Sequence, residues 1–203
     1  MPTDQSAAYK LLFSTREMVR ALVQGFVPDD NWLHSLDYAT LEKMPCSYIS
    51  DDIHHDADDV VWRVKVGGDW VYLYLLIQCE SQVDPWMAVQ VMRCVGLLYQ
   101  DLIKADQVLP DNKLPPVLPI VLYIGDAPWT AATNIHALIP QVPGLVSQFL
   151  PNLPYLLIAE NQYTDTMLAE MKNLVASALL LQRPHNQAAA QKLLDLLESK
   201  LTL

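Results

Sequence analysis

The sequence predicts an α/β or α+β fold, with a mixed central sheet flanked by helices, and three observations lead to this fold class. Segments with helical periodicity alternate with segments of strand periodicity along the chain. Two of the strand segments flank a glycine pair, which is typical of a β-hairpin. Two later apolar runs, bounded by prolines or glycine, read as buried strands. At 203 residues and 52% apolar, the chain is predicted to form a single domain over 1–203.

The first third of the chain is predicted to be helical or irregular. Apolar residues in 7–26 recur at spacings of three and four, which indicates one buried helical face. Ser14 and Thr15 could equally split this segment into two helices. The next segment, 28–45, begins like a loop and is predicted to contain at most a short helix around 35–43.

A hairpin centred on Gly67 and Gly68 is the strongest local prediction. Both glycines tolerate the positive φ angles of a tight turn, and the flanking stretches alternate with a period of two. If the glycines form the turn, residue i of the first strand faces residue 135 − i of the second. This pairing directs one apolar side of the hairpin towards the core, and it leaves Arg63 and its neighbours on the other side.

The remaining segments are predicted to form the other strands of the central sheet and the helices that flank it. Asp84 and Pro85 predict a helix start, as N-cap and first-turn proline. The run 114–125 predicts a central strand that begins after Pro116 or Pro119. Further predictions are a helix through residue 104, a loop with one short helix at 127–140, a strand at 153–161, and helices at 164–182 and 186–201.

Charge and composition disfavour several classes of partner. A net charge of −10 repels nucleic acid at long range unless the basic residues cluster on one face. The three cysteines lack metal-ligand spacing, and no signal peptide precedes the first amphipathic segment, so we expect reduced thiols in the cytoplasm. No apolar run reaches the roughly 18 to 20 residues that span a bilayer, so no membrane partner is expected.

Polar side chains converge where the second hairpin strand ends. Gln78 and Glu80 share a face because alternate residues of a strand point the same way. Asp59 faces Leu76 and lies diagonal to Gln78, with their backbones roughly 7 to 8 Å apart. Two carboxylates and an amide oxygen suit Mg²⁺, which lowers the pKa of a bound water in metal-dependent nucleases. The alternative is that the strand simply emerges into solvent beside an acidic loop.

Three aromatic residues, Trp70, Tyr72 and Tyr74, lie on the same face as Gln78. They could form a platform on which nucleic-acid bases stack. Aromatic residues on a strand beneath a helix more often serve in packing, so both interpretations stay open at this point.

Six segments, in order along the chain, carry a resemblance to a known family: YKLLFS, MVRALVQGFVP, DDVVWRV, WVYLYLL, DPWMAVQVMRCVGLLYQDLIK and LPPVLPIVLYIGDAPWTAAT. Over residues 7 to about 140 the chain resembles the recombination-promoting nuclease and putative transposase family (YhgA-like, Transposase_31), with C-terminal helices following in 164–203. The resemblance implies a PD-(D/E)xK restriction-endonuclease-like fold. It also implies a DNA endonuclease that depends on Mg²⁺ or Mn²⁺, with a role in recombination and horizontal gene transfer. Proteins of this family are expected to carry a further C-terminal region, so a chain that ends at Leu203 is either truncated or a short, degenerate member.

The resemblance assigns roles to individual residues. The strand-start Asp of the family matches Asp59, and its Glu-x-Gln-Ser motif reads QCES at 78–81. The acid and the amide are therefore exchanged, which moves each group about 6.5 to 7 Å along the strand. By this resemblance Asp59 and Glu80 are metal ligands, and Gln78 replaces the charged second ligand.

Other polar positions of the family also differ here, since Gln90 stands where an Arg is usual and Cys94 where a Tyr is usual. Two hypotheses follow. The first is an active Mg²⁺-dependent endonuclease, with Lys10 or Arg63 as phosphate partners and DNA bound weakly or conditionally because of the −10 charge. The second is a catalytically inactive nuclease-fold protein with an interaction or regulatory role, which could include a homodimer.

Overall fold

The computed structural model describes residues 4–28, 30–44, 60–78 and 83–183. Its helices are α1 Asp4–Leu12, α2 Arg16–Phe26, α3 Asp30–Ser35, α4 Met87–Lys104, α5 Asp165–Glu170 and α6 Leu174–Gln182. Its strands are β1 Leu36–Lys43, β2 Val60–Val66, β3 Asp69–Gln78, β4 Val117–Tyr123 and β5 Leu156–Ala159. Short 3₁₀ helices lie at Pro110–Asn112, Ile135–Leu138, Leu145–Phe149 and Glu160–Gln162. The helix predicted at 186–201 falls outside the described residues.

The strands form one mixed sheet in the order β1-β2-β3-β4-β5. The first three strands are an antiparallel meander, whereas β4 lies parallel to β3 and β5 lies parallel to β4. Helix α4 makes the crossover between the parallel strands β3 and β4. Helices flank this sheet on both faces, so the predicted fold class is confirmed.

The β2–β3 hairpin has the predicted register. Val60 pairs with Leu75, and Val66 pairs with Asp69, so every pair obeys the 135 − i relation. Gly67 and Gly68 occupy the turn with φ angles of 60° and 101°. Residues with a β-carbon rarely adopt such angles, so these two glycines fix the register of the hairpin.

The central strands bury side chains on both faces because a helical layer covers each face. Leu73, Leu75 and Ile77 pack with α1, α2 and α6. Tyr72 and Tyr74 alternate with them and pack beneath α4, where their exposed fractions are 1% and 0%. The aromatic residues of β3 therefore serve in packing, and a base-stacking platform at Tyr72 and Tyr74 is excluded by their burial.

The short helix predicted around 35–43 is wrong, since residues 36–43 form edge strand β1 and the short helix α3 ends at Ser35. The register between β1 and β2 shifts between Asp37 and Glu42, which hides the period of two in the sequence. At this irregularity the Thr40 hydroxyl accepts the Lys65 backbone N–H at 2.9 Å and thereby replaces a ladder hydrogen bond. Sheet pairing has overridden the helix propensity of this segment.

The N-terminal helical segment forms two helices, which confirms the alternative prediction that Ser14 and Thr15 split it. The chain leaves the helix after Leu12 and re-enters it at Arg16, and Ser14 and Thr15 lie in the turn. The Ser14 and Thr15 hydroxyls donate to the Lys10 and Leu12 carbonyls, each at 2.7 Å. These side chains satisfy carbonyls that a continuous helix would have bonded internally.

Two other helix predictions need correction. The single helix predicted at 164–182 is broken, because Lys172 has a φ of 49° and Asn173 caps a new helix, α6. The helix predicted to begin at Asp84 begins at Met87. Asp84 instead accepts the Trp86 N–H at 2.8 Å, in the turn that precedes the helix.

Strand β4 begins after Pro116 and contains a second proline, Pro119. A proline within a sheet interior would remove a ladder donor. Pro119 pairs with Tyr74 of β3, but β5 pairs with β4 only from Ile120 onwards. Pro119 therefore lies in the part of β4 that has one neighbouring strand, where the lost donor is tolerated.

Candidate functional site

The predicted site lies at the edge of the sheet where β2 begins and β3 ends. Val60, the first residue of β2, pairs with Leu75, and β3 continues from there to Gln78. Asp59 comes directly before Val60, and Glu80 follows Gln78 by two positions. Both acidic residues are therefore close in sequence to strand ends at the same edge of the sheet. Asp59, Glu80 and the Gln78 side chain themselves lie outside the described residues.

The end of β4 borders the same edge, because Tyr123 pairs with Gln78. The Tyr123 hydroxyl is buried and has no hydrogen-bond partner among the described residues. Burial raises its pKa, and the nearby negative charge of Asp126 adds to this effect. The Tyr123 ring packs edge-on against Trp129, with the ring centroids 4.9 Å apart. This edge thus presents a neutral, buried hydroxyl next to the end of β3.

The start of α4 is fixed at this edge by one carboxylate. Asp84 accepts the Trp86 N–H through one oxygen and the Gln90 amide, at 2.6 Å, through the other. Gln90 occupies the position where the family resemblance leads us to expect an arginine. Burial raises the pKa of Tyr155 to about 12, and the charge of Asp84 contributes to that rise. Asp84 is therefore near the aromatic cluster that includes Tyr123.

An ion-pair cluster follows strand β5. Arg183 contacts the carboxylates of Asp165 and Glu160, and it donates to the Glu160 and Tyr163 carbonyls at 3.3 and 2.6 Å. Burial raises the pKa of Glu160, while the positive charge of Arg183 acts in the opposite direction. This cluster joins the end of α6 to the segment after β5.

The two predicted phosphate partners lie in different surroundings. The Arg63 guanidinium pairs with Glu42, lies 4.3 Å from the Trp70 ring centroid and donates to the Tyr72 hydroxyl at 3.4 Å. These contacts engage Arg63 within the hairpin. Lys10 lies in the last turn of α1, and its role as a phosphate partner stays a prediction.

Helix α1 is tied to the beginning of the hairpin. The Trp62 indole N–H donates to the Phe13 carbonyl at 2.9 Å. The Lys43 ammonium donates to the Ser14 hydroxyl at 2.7 Å, at the end of β1. The end of α1 is thereby held beside the strands that lead to the predicted site.

The described residues do not themselves form a metal centre. Within residues 4–28, 30–44, 60–78 and 83–183, no group of three or more His, Cys, Asp or Glu side chains could hold a metal ion. The predicted ligands Asp59 and Glu80 stay a prediction. In the same ranges, no helix combines the length and the apolar character needed to cross a membrane.

Sequence reasoning missed the contributions of Tyr123 and of the Asp84–Gln90 contact. The pairing of Tyr123 with Gln78 depends on the crossover through α4, so no local pattern could supply it. A tyrosine at the end of an apolar run, shortly before Gly125, was the available signal. Asp84 was identified only as a helix cap, although the spacing to Gln90 allows a side-chain contact one turn into α4.

The described fold and its polar edge define a class: an α/β domain with a mixed sheet, consistent with a nuclease-like domain. The family model described as "Putative transposase, YhgA-like" matches residues 3–203, and the chain belongs to this family. The resemblance noted in the sequence is thereby confirmed.

Curated relatives of this chain carry nuclease names. Recombination-promoting nuclease RpnC of Escherichia coli (strain K12) is 30% identical over 127 residues, which are 62% of this chain and 40% of the relative. RpnA of the same strain is 29% identical over 124 residues, 61% of this chain and 40% of the relative. Inactive recombination-promoting nuclease-like protein RpnE, also from that strain, is 25% identical over 134 residues, 65% of this chain and 43% of the relative. The matches thus span less than half of each relative. No solved structure matches the chain significantly.

Proposed function

We propose that this chain is a metal-dependent DNA endonuclease of the recombination-promoting type. Asp59 and Glu80 would hold the ion, and Gln78 would supply a third oxygen. The main support for this proposal is the hairpin register, because it brings the start of β2 and the end of β3 to the same edge of the sheet. The names of the relatives RpnA and RpnC support the reaction class.

The proposed ion is Mg²⁺ or Mn²⁺, in a site of the PD-(D/E)xK type. Carboxylate and amide oxygens are the hard ligands that Mg²⁺ prefers, and a bound ion supplies an activated water and stabilises phosphate charge. The protein would supply the ligands and orient the DNA phosphate. With a net charge of −10, we expect DNA binding to be weak and to fall steeply with salt. We also place the protein in the cytoplasm, where DNA is accessible.

A second candidate function is a catalytically inactive interaction or regulatory protein of the same fold. Two observations favour it: the exchanged acid and amide in QCES at 78–81, and a relative whose name describes it as inactive. A displacement of about 6.5 to 7 Å along the strand is large compared with a metal–oxygen bond of about 2 Å.

Plasmid cleavage by the purified chain, with Mg²⁺ or Mn²⁺ and with EDTA, tests the first function. Asp59→Ala and Glu80→Ala should each lower cleavage at least about 100-fold, because each removes a metal ligand. Asp69→Asn is the matched control: it removes a carboxylate from the far end of the same hairpin and should cleave like the native chain.

The double exchange Gln78→Glu with Glu80→Gln separates the two functions. If the native chain does not cleave and the exchanged variant does, the altered motif has inactivated the site and the second function is supported. Cleavage that survives EDTA, or that persists in both alanine variants, would contradict the proposed site.

A further inference from the structure

Trp86 is an exposed aromatic residue in a fixed position. Its exposed fraction is 61%, whereas the other four tryptophans of the chain are buried or half-buried. Its backbone is held by Pro85 before it and by the Asp84 carboxylate, which accepts the Trp86 N–H. Exposing a large apolar ring is unfavourable in water, and the rigid backbone keeps the ring at this point of the surface.

Trp86 begins a stripe along the outward side of α4. Arg93, Gln100 and Lys104 follow it at intervals of seven, seven and four residues, and all are exposed. With 3.6 residues per turn, these intervals place the side chains on one side of the helix. Arg93 lies about 10 Å along the axis from Trp86. We call these four residues the α4 stripe.

The charge of the α4 stripe differs from that of the whole chain. The chain carries 23 acidic and 13 basic residues. Within α4, all of whose side chains are described, the one carboxylate is Asp101, which is 8% exposed and lies 3.6 Å from Lys104. The stripe therefore presents two cations and no exposed acid, so a polyanion meets less repulsion here than elsewhere on a strongly acidic protein.

The α4 stripe begins beside the edge that holds the candidate site. Asp84 lies two residues before Trp86, and its negative charge contributes to the raised pKa of Tyr155. The Tyr155 ring contacts Trp129, with centroids 6.5 Å apart, and Trp129 contacts Tyr123. Tyr123 is the strand partner of Gln78. The backbone that carries the exposed indole is thus anchored beside an aromatic cluster that extends to the strand partner of Gln78.

We propose that the α4 stripe binds an unpaired DNA strand next to the candidate site, with the Trp86 indole stacked on a base and Arg93 at a backbone phosphate. The inference rests on the proposed endonuclease function, because it identifies the strand that this site would act on. A base in a duplex is already stacked on its neighbours, so a single exposed ring selects an unpaired base. Phosphates along an extended strand suit cations placed on one side of a helix.

Fluorescence anisotropy of a labelled oligothymidylate of about 15 nucleotides, measured in EDTA, tests this inference without cleavage. Trp86→Ala should raise the Kd about 10-fold. Trp86→Phe keeps an aromatic ring that can stack on a base, so it should raise the Kd much less. Arg93→Ala should raise the Kd and reduce the slope of log K against log salt by about 0.7.

Two variants serve as matched controls. Phe149→Ala removes an aromatic ring that is 74% exposed in a segment remote in sequence from α4, and Arg16→Ala removes an exposed arginine from α2 on the other face of the sheet. Both controls should bind like the native chain. Equal weakening in the controls and in the Trp86 and Arg93 variants would overturn the inference, as would an absence of oligonucleotide binding by the native chain.

Sedimentation of the same variants identifies a different occupant of this surface. Val89, Met92 and Ile103 lie exposed beside the α4 stripe. If Trp86→Ala changes the oligomeric state and leaves oligonucleotide binding unchanged, the face is an interface between copies of the chain and the inference is wrong. If the native chain binds through Trp86 but cleaves no DNA, the endonuclease proposal fails while the binding site stands. If cleavage occurs and Trp86→Ala binds normally, only the binding site fails.

Discussion

The two helical layers that cover the sheet are held in different ways. The layer of α2 and α6 contains a part-buried polar contact between distant segments: the Asn173 amide donates to the Ala21 carbonyl at 2.7 Å, and its oxygen accepts the Val175 N–H and so caps α6. The layer of α4 is held on its inner side by apolar packing against β3 and β4, and its outer side is exposed. The first layer specifies one arrangement of the chain, and the second leaves a surface open for contact.

Two arginines show the same difference. Arg183, in the α6 layer, contacts two carboxylates and two carbonyls, and the side chain of its partner Glu160 is 13% exposed. Arg63 points to the α4 side and pairs with Glu42, whose side chain is 44% exposed. Water screens the Arg63–Glu42 pair more than the Arg183–Glu160 pair, so the two arginines should contribute unequally to stability.

Replacement of these two arginines is expected to show the largest difference in the free energy of unfolding between the two layers. Arg183→Ala should lower the free energy of unfolding by about 3 kcal/mol, because it leaves Glu160 and Asp165 without their shared cation. Arg63→Ala should cost about 1 kcal/mol, since its ion pair and its contact with Trp70 are both partly exposed. Urea denaturation measures both values, and equal losses would show that the layers do not differ in this way.

Two helical glycines provide the next comparison. A β-carbon at Gly25 would lie 2.7 Å from the Asn173 amide nitrogen, whereas one at Gly96 would meet no described atom within 4 Å. Gly25→Ala should therefore destabilise the protein by about 1 to 2 kcal/mol, because the Asn173 cap must move. Gly96→Ala should stabilise it by about 0.5 to 1 kcal/mol through helix propensity.

The double variant Gly25→Ala with Asn173→Ala isolates the cause of the first effect. If the clash with Asn173 is responsible, Gly25→Ala should no longer destabilise the chain once Asn173 is shortened. A loss that persists in the Asn173→Ala background would place the cause elsewhere in α2.

The smallest expected effect concerns pH. Burial raises the pKa of Glu160 in the folded state above its ordinary value of 4.5. The folded state therefore favours the protonated carboxyl, and its contribution to stability is present below the unfolded pKa and is lost as pH rises through the folded pKa. Relative to the native chain, Glu160→Gln should gain stability as pH rises from about 4 to 7.

Thermal unfolding across that pH range measures the difference between the two proteins. A difference that moves in the opposite direction would mean that the positive charge of Arg183 outweighs the burial of Glu160. No change with pH would mean that the two influences cancel.

Local signals predicted the elements whose geometry is local. Gly67 and Gly68 predicted the hairpin and its register because positive φ angles select glycine there. Strand β1 was missed because the register shift between Asp37 and Glu42 breaks its alternation. The break between α5 and α6 was missed because Asn173 bonds to Ala21, 152 residues earlier in the chain, which no sequence window includes.

The same distinction applies to the candidate site. The hairpin register predicts from sequence that Asp59 lies near the end of β3, because both strands belong to one turn, and this stays a prediction. Tyr123 could not be placed beside Gln78 in that way, because the pairing of β3 with β4 is decided by how α4 packs over the sheet. Crossover packing is a tertiary property, and it leaves little trace in any single segment.

The Asn173–Ala21 hydrogen bond also bears on how the chain acquires its structure during synthesis. Helix α2 is complete early, but the cap that docks against it is translated 152 residues later. Until then the apolar face of α2 lacks part of its covering, and such long-range closure slows folding and exposes aggregation-prone surface. A nascent chain arrested before residue 173 would therefore be a natural client for chaperones, although the whole hairpin has already been made.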